Sequence, residues 1–280
     1  MEIHHACNYI LRLTLKRAFP LLQKLGLNVT ANHFYEPIPD ISTLSDNLWL
    51  NRSELVGIDI NEQEQVNLLS EFALKYKEEF NSLPRNKTEC PYQYFVNNGG
   101  FESVDGEILY CMIRHFKPRK IIEIGSGNST YLSAQAVLKN KNEDSCECEL
   151  VAIEPYPNNV LKMGFSGLSQ LIPSSHVLNI GNDVQYEYLE ILPRLKKGVI
   201  VHVHDIFLPE EYRKEWILKE HRFWNEQYLL QAFLAFNESF KVLWAGNYMS
   251  LKNFEILEKT FSSYKKGKVK PGSFWIVKTR

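Results

Sequence analysis

The sequence predicts an α/β protein, with a mostly parallel sheet that carries helices on both faces. Through most of the chain, short aliphatic runs alternate with stretches of helical periodicity, which is the order expected of an α/β fold. One aliphatic run, at residues 120–124, leads directly into Gly125 and Gly127. The last two runs lie at 241–246 and 273–278, and no helix follows the second one.

Residues 1–89 are expected to form a helical and irregular extension, and residues 90–280 the main domain. The spacing of apolar residues over 61–80 predicts a helix in this extension. Residues 27–60 are irregular and rich in proline, aspartate and asparagine, which is typical of an extended arm. Tyr35 in this arm either packs against the main domain or closes over a bound substrate.

The elements of the main domain are predicted from apolar periodicity in chain order. Helices are expected at 107–116, 129–138, 184–195 and 210–236, and strands at 120–124, 149–153, 198–206, 241–246 and 273–278. Residues 156–175 contain no good strand, so the sheet is expected to be shortened in the middle. A shortened sheet exposes edge hydrogen-bonding groups. Either a homodimer covers them, or the protein is poorly active.

Composition excludes several classes of partner. The 32 basic and 33 acidic residues leave a net charge of −1, which provides no field to attract nucleic acid or an anionic membrane. A small molecule or a peptide is therefore the expected substrate. Five scattered cysteines are an odd number, so a reducing cytoplasm is expected rather than a disulfide framework. The N-terminal apolar runs are too short to span a bilayer and lack the order of a signal peptide, so we expect no stable membrane insertion.

The glycine turn is the most informative functional signal in the sequence. Its residues are Glu123, Gly125, Ser126, Gly127 and Asn128. Glycine lets the backbone turn sharply and lets a ligand come close. A dinucleotide site would need a third glycine, where this chain has Thr130, and the nearby carboxylate would repel phosphate. The turn suits a ligand with a cationic centre, with another nucleotide site or an ordinary strand-to-helix turn as the alternatives.

The run E-I-G-S-G at residues 123–127 resembles motif I of the class I S-adenosylmethionine-dependent methyltransferases. That resemblance implies a Rossmann-like sheet with a closing antiparallel strand at the C-terminus. It also implies S-adenosylmethionine as a cofactor whose methionine part lies in the turn. Glu154 ends the next predicted strand and matches the family's ribose-binding carboxylate, which accepts hydrogen bonds from both hydroxyls. Tyr94 lies in the aromatic segment before motif I, which often covers the cofactor in this family, so it is a further candidate contact.

Candidate catalytic residues lie at the carboxyl end of the predicted strand 198–206. His202 and His204 alternate onto one face of that strand, and Asp205 follows. Unpaired imidazoles and carboxylates are costly to bury, which favours a functional role. We expect His204 to act as the general base for a methyl acceptor, because an imidazole titrates near neutrality. Asp205 would orient His204 or bind substrate, and His202 lies deeper as a catalytic or structural residue.

Substrate contacts are the least defined part of the prediction. His176 is one candidate, together with Tyr35. Alternatively, His176 joins His204 and Asp205 around Zn²⁺, Fe²⁺ or Ni²⁺, although our primary expectation assigns no metal. Trp224 lies in an aromatic helical region. This region is either a lid over the substrate or a helix that packs against the rest of the domain or against a second subunit.

The function expected from these features is transfer of a methyl group from S-adenosylmethionine to oxygen or nitrogen of a small molecule or modified peptide. Two alternatives stay open. One is a Rossmann-like binding or scaffold protein that has lost turnover through the shortened middle. The other is a metal-dependent enzyme that uses His176, His204 and Asp205.

Overall fold

The computed structural model describes residues 14, 17–30, 32, 37–172 and 183–280. The chain divides into two compact units. The smaller comprises the described part of residues 1–51 together with Arg213–Phe223, and the larger comprises Arg52–Tyr212 and Trp224–Arg280. The predicted boundary between residues 89 and 90 falls inside the larger unit. The candidate substrate contacts Tyr35 and His176 lie outside the described residues.

The smaller unit is built from short helical pieces. Residues 17–24 are helical, and a 3-10 turn at Ile41–Thr43 and helices at Asn47–Leu50 and Lys214–Leu218 follow along the chain. The side chain of Asp40 accepts a hydrogen bond from the Ser42 backbone N–H and so caps the 3-10 turn. Lys214 pairs with Asp46 and lies over the ring of Trp49, which fixes the second segment of this unit to the first.

Helices and strands alternate through the larger unit. Its helices are α1 (Glu62–Asn81), α2 (Asp105–Phe116), α3 (Asn128–Asp144), α4 (Asn159–Met163), α5 (Asp183–Tyr186), α6 (Glu226–Leu234), α7 (Gly246–Lys252) and α8 (Phe254–Thr260). Its strands are β1 (Lys120–Ile124), β2 (Glu149–Ile153), β3 (Gln170–Ile172), β4 (Ile200–Val203), β5 (Phe240–Ala245) and β6 (Phe274–Lys278). After α5 the chain continues helically as a π turn at Glu187–Ile191 and a 3-10 turn at Leu192–Arg194.

The described strands form two three-stranded sheets. In the first, β1, β2 and β3 are parallel and lie in that order, with Ile124 opposite Ile153 where β1 and β2 end. In the second, β6 lies between β4 and β5 and is antiparallel to both. The α/β class and the closing antiparallel strand are therefore confirmed. A single mostly parallel sheet was expected, but the described strands pair within these two separate sheets.

Two details of the predicted elements are wrong. The interval 156–175 does contain a strand, β3, but its three residues are too few to produce a recognisable pattern. The helix predicted over 210–236 is interrupted, because His221 adopts a left-handed backbone with φ of 55° before α6 begins at Glu226. The remaining predicted strands lie within two or three residues of their expected positions.

Helix α2 is the most deeply buried element, and it positions residues that matter for the site. It packs against α1, whose Leu69, Phe72 and Phe80 are at most 2% exposed. Arg114 of α2 is 4% exposed, and its guanidinium bonds to Glu79 of α1 at 2.9 Å and to two acidic side chains near the end of α3. A buried cation satisfied in this way fixes α2 between its neighbours.

Apolar surface remains on the outer part of the parallel sheet. Ile122 in the middle of β1 is 60% exposed, on a face of the strand that alternates with a partly buried one. None of the helices in the described ranges is long and apolar enough to cross a membrane.

Candidate functional site

The glycine turn begins where β1 ends. Gly125 has a φ of 84°, a conformation that favours glycine, and its N–H donates to the carbonyl of Ile153 at 2.9 Å. The N–H of Gly127 donates to Oγ1 of Thr130 at 2.9 Å, which closes the first turn of α3. The turn is thus held to the end of β2 on one side and to the start of α3 on the other.

Glu154 follows β2 and lies against this turn. The N–H of Ser126 donates to Glu154 Oε2 at 3.0 Å, and the N–H of Tyr156 donates to Oε1 at 2.9 Å. The backbone of Glu154 is also fixed, because its N–H donates to the carbonyl of Ile172 in β3 at 2.8 Å. Each carboxylate oxygen has further acceptor capacity, so this carboxylate can accept hydrogen bonds from a ligand.

Glu123 supplies a second carboxyl group at the turn. The residue is half-buried, but its Oε2 atom is enclosed and has no hydrogen-bond partner in the described part of the chain. Burial raises the pKa of Glu123 to about 7, although hydrogen bonds from Ser129 and Thr130 act in the opposite direction. A buried oxygen without a partner is unusual in a folded protein, and it suits a donor on a ligand.

Asn98 connects the glycine turn to the loop at residues 97–101. Nδ2 of Asn128, the first residue of α3, donates to Asn98 Oδ1 at 3.0 Å. Asn98 Oδ1 also accepts from the N–H of Phe101 at 2.7 Å, and Asn98 Nδ2 donates to the carbonyl of Phe101 at 2.6 Å. The ring of Phe101 lies 4.9 Å from that of His204. One loop therefore contacts both the glycine turn and the histidine strand.

Tyr94 supports this loop from inside the protein. It is fully buried, and its hydroxyl donates to the carbonyl of Phe101 at 2.9 Å. Burial raises the pKa of Tyr94 well above its ordinary value. The hydroxyl also packs closely on Gly106 of α2, where an added Cβ would lie 2.0 Å from it. A direct cofactor contact for Tyr94 stays a prediction.

His204 lies between two carboxylates at the end of β4. Its Nε2 is 3.2 Å from Oδ2 of Asp105, and its Nδ1 is 3.3 Å from Oδ1 of Asp205. Burial lowers the pKa of His204, but the hydrogen bonds to Asp105 and Asp205 outweigh burial and raise it to about 10. The imidazole is therefore protonated at neutral pH.

Asp105 was not recognised from the sequence. It is the first residue of α2 and is 6% exposed, and its carboxylate accepts from the N–H groups of Gly272 at 2.9 Å and Ser273 at 3.0 Å. Burial alone would raise the pKa of Asp105, but the bonds from His204, Gly272 and Ser273 keep it below its ordinary value. The sequence gives no signal for this role, because aspartate is common in the first turn of any helix. The contact between Asp105 and His204 also joins positions far apart in the chain.

His202 has a different environment from His204. Its Nε2 lies 3.1 Å from Oγ of Ser273, and its ring stacks on Trp275 with centroids 4.3 Å apart. Burial lowers the pKa of His202 to about 3, and the charge on His204 acts in the same direction. His202 is therefore neutral and packed, and a catalytic role for it stays a prediction.

Asp205 is held in an uncommon backbone conformation. Its φ is 59°, in the left-handed region that costs a residue other than glycine about 1–2 kcal/mol. Its side chain is 34% exposed, compared with 8% for Asp105. Aspartate enters this region more readily than most residues, and the more exposed carboxylate of the pair thus lies at the strand end.

The other candidates are less defined. Trp224 is half-buried just before α6, and its role in substrate binding stays a prediction. Within residues 37–172 and 183–280, and the shorter described ranges, no group of three or more histidine, cysteine or acidic side chains is arranged to hold a metal ion. His176, the third ligand of the metal alternative, is outside those ranges.

These features define an α/β protein with a carboxylate-lined glycine turn at the ends of parallel strands and a histidine–aspartate cluster at the end of β4. No protein-family profile and no solved structure matches the chain. An uncharacterized protein of Archaeoglobus fulgidus is 32% identical over 168 residues, which cover 58% of this chain and 73% of the relative. The chain belongs to the same family as this archaeal protein. The relative's description gives no activity.

Proposed function

We propose that this protein is a methyltransferase that uses S-adenosylmethionine and acts on oxygen or nitrogen of a small molecule or modified peptide. The observation that carries the proposal is the hydrogen bond from Ser126 N–H to Glu154 Oε2, which fixes a carboxylate against a two-glycine turn. Motif I and the acidic end of the following strand are the two features by which the sequence resembles class I methyltransferases. The proposal includes their Rossmann-like architecture for the larger unit.

The charges at the turn favour this cofactor over a nucleotide phosphate. Glu123 and Glu154 place two carboxyl groups at the ends of β1 and β2, and a phosphate would be repelled by Glu154 and by Glu123 in its ionised form. The unpartnered Oε2 of Glu123 suits the ammonium group of the methionine part. The remaining acceptor capacity of Glu154 suits the two ribose hydroxyls. The residues present therefore fit the proposed cofactor.

The cofactor, when bound, supplies an electrophilic methyl group on a positively charged sulfur. The chain's own residues orient the acceptor and take up its proton. An imidazole that is already protonated has no free lone pair, so His204 must lose its proton before it can act as a base. Asp205 has the more exposed carboxylate, and we assign it both the hydrogen bond from the acceptor's O–H or N–H group and the proton which that group loses on methyl transfer. His204 then holds Asp205 and offsets its charge.

A binding or scaffold protein is the second candidate. The observation that favours it is the separation of the described strands into two sheets, with only three residues in β3. Such a sheet offers fewer elements to enclose an adenine ring. This candidate and the first differ in turnover, whereas both allow cofactor binding.

Calorimetric titration tests the proposal directly. S-adenosylmethionine and S-adenosylhomocysteine should bind the whole 280-residue chain at micromolar concentrations, whereas ATP and NAD should not bind. Binding of ATP or NAD with equal affinity, or no binding of either adenosyl compound, would refute the methyltransferase proposal. Incubation of the protein with S-adenosylmethionine labelled in the methyl group and with extracts fractionated by size would then separate a transferase from a binding protein.

A further inference from the structure

We propose that Asp105 is a positioning residue of the site, which acts through His204 to hold the Asp205 carboxylate where it meets the methyl acceptor. This inference rests on the proposed function for the role of Asp205. The arrangement itself, in which an imidazole lies between a buried carboxylate and a more exposed one, is a property of the described side chains. Two separate connections lead from Asp105 to Asp205.

The first connection is the imidazole of His204. Asp105 Oδ1 accepts from Ser273 N–H at 3.0 Å, and Oδ2 accepts from Gly272 N–H at 2.9 Å while lying 3.2 Å from His204 Nε2. Both oxygens are thus engaged, so the carboxylate cannot rotate without breaking bonds. Because Nε2 of His204 is held, the ring presents Nδ1 to Asp205 at 3.3 Å in a defined direction.

The second connection runs through the backbone of Gly272. Its N–H donates to Asp105, and its carbonyl accepts from the N–H of Ile206 at 2.9 Å. A Cβ added at Gly272 would lie 3.3 Å from the backbone N and Cα of Asp205. The segment that Asp105 fixes therefore packs directly on the residue whose φ is 59°. Asp105 constrains both the side chain and the backbone of Asp205.

The charges around His204 indicate what the site recognises. Asp105 faces the His204 ring from α2, and Asp205 follows His204 in the chain. The ring centroid of His202 lies 6.0 Å from that of His204, and the apolar ring of Phe101 packs against His204. Two carboxylates and one imidazolium leave one negative charge, because His202 is neutral. Asp205 is the more exposed of the two carboxylates, so this negative charge faces the methyl acceptor. The site therefore favours a methyl acceptor whose reacting group is neutral or cationic and donates a hydrogen bond.

The alternative explanation is that Asp105 serves only folding. An Asp105 that served only folding would hold the backbone of Gly272 and Ser273 without holding the imidazole of His204, so the pKa of His204 would not depend on it. Histidine NMR of the whole 280-residue chain separates these explanations. The probe is the pH titration of the His204 ring, assigned by comparison with His204→Gln, in the wild type, Asp105→Asn, Asp205→Asn and the exposed control Asp59→Asn.

The expected result is a wild-type His204 that stays protonated above about pH 8, with a midpoint lowered by more than about one unit in Asp105→Asn and in Asp205→Asn. Asp59→Asn should leave it unchanged. A wild-type midpoint near that of a free histidine, or one insensitive to Asp105→Asn, would overturn the proposal. If Asp105→Asn does not fold, the His204 midpoints of the wild type and of Asp205→Asn test the proposal instead. An unchanged midpoint in Asp205→Asn would also overturn the proposal.

Calorimetry on the same variants keeps this inference separate from the proposed function. Asp105→Asn and Asp205→Asn should keep S-adenosylmethionine affinity within about twofold of the wild type, because neither residue contacts the glycine turn. If the wild type binds no S-adenosylmethionine, the methyltransferase proposal fails, while the titration still reports whether Asp105 controls His204.

Discussion

The backbone N–H of Ser126 donates to Glu154 Oε2 at 3.0 Å, so the carboxylate at the end of β2 is fixed against the turn at the end of β1. Both residues follow neighbouring parallel strands, whose carboxyl ends meet at one edge of the sheet. The pair is thus formed by strand register, and neither residue depends on a flexible loop for its position.

Glu154→Gln should weaken S-adenosylmethionine binding. A hydrogen bond to a charged group contributes about 1.5–3 kcal/mol, so affinity should fall about 10- to 100-fold in calorimetry. Glu149→Gln is the matched control, because Glu149 starts the same strand and pairs with Lys120 on the surface at 2.9 Å. Equal affinity in wild type and Glu154→Gln would remove Glu154 from the ribose site.

Cofactor binding should release a proton from Glu123. Burial raises the pKa of this carboxyl from 4.5 to about 7, so it is largely protonated below that value. A cationic ligand favours the ionised form and lowers the pKa, so protons are released on binding between these two pH values. Calorimetry near pH 6 in two buffers of different ionisation enthalpy measures this release. It should vanish in Glu123→Gln, and a release that persists there would assign the proton to another group.

Glu107 should reduce stability as the pH rises. This residue of α2 is 2% exposed, its Oε1 accepts from Ser263, and burial raises its pKa above 4.5. A carboxyl whose pKa is raised by folding favours the folded state below the unfolded value and loses that contribution as the pH rises toward the folded value. Urea unfolding should therefore show that Glu107→Gln gains stability relative to the wild type from about pH 4.5 upward. A constant difference across pH would contradict this.

Arg114→Ala should strongly destabilise the protein. Removing one partner of a buried ion network leaves the other charges without compensation, which costs about 3–5 kcal/mol. Arg119→Ala is the control, because Arg119 is exposed just before β1. Urea unfolding at neutral pH measures both variants. A loss for Arg114→Ala no larger than for Arg119→Ala would mean that the contacts of Arg114 with Glu79 and α3 contribute nothing net.

The features read correctly from the sequence are those encoded by neighbouring residues. The strand before Gly125, the acidic residue after β2 and the final strand each carry their own local pattern, whereas the antiparallel direction of the final strand was expected from the family resemblance. The contact of Asp105 with His204 has no local pattern, since its partners are brought together only by the packing of α2 against β4 and β6. Likewise, β3 is recognisable only through its pairing with β2.

The left-handed backbone at Asp205 limits which amino acids this position tolerates. Asparagine and glycine enter that conformation most readily, whereas β-branched residues are excluded by steric clash. Asparagine would keep the shape of the strand end and remove the charge, and glycine would also remove the side chain. These two replacements therefore distinguish what the carboxylate contributes from what the bend of the main chain contributes.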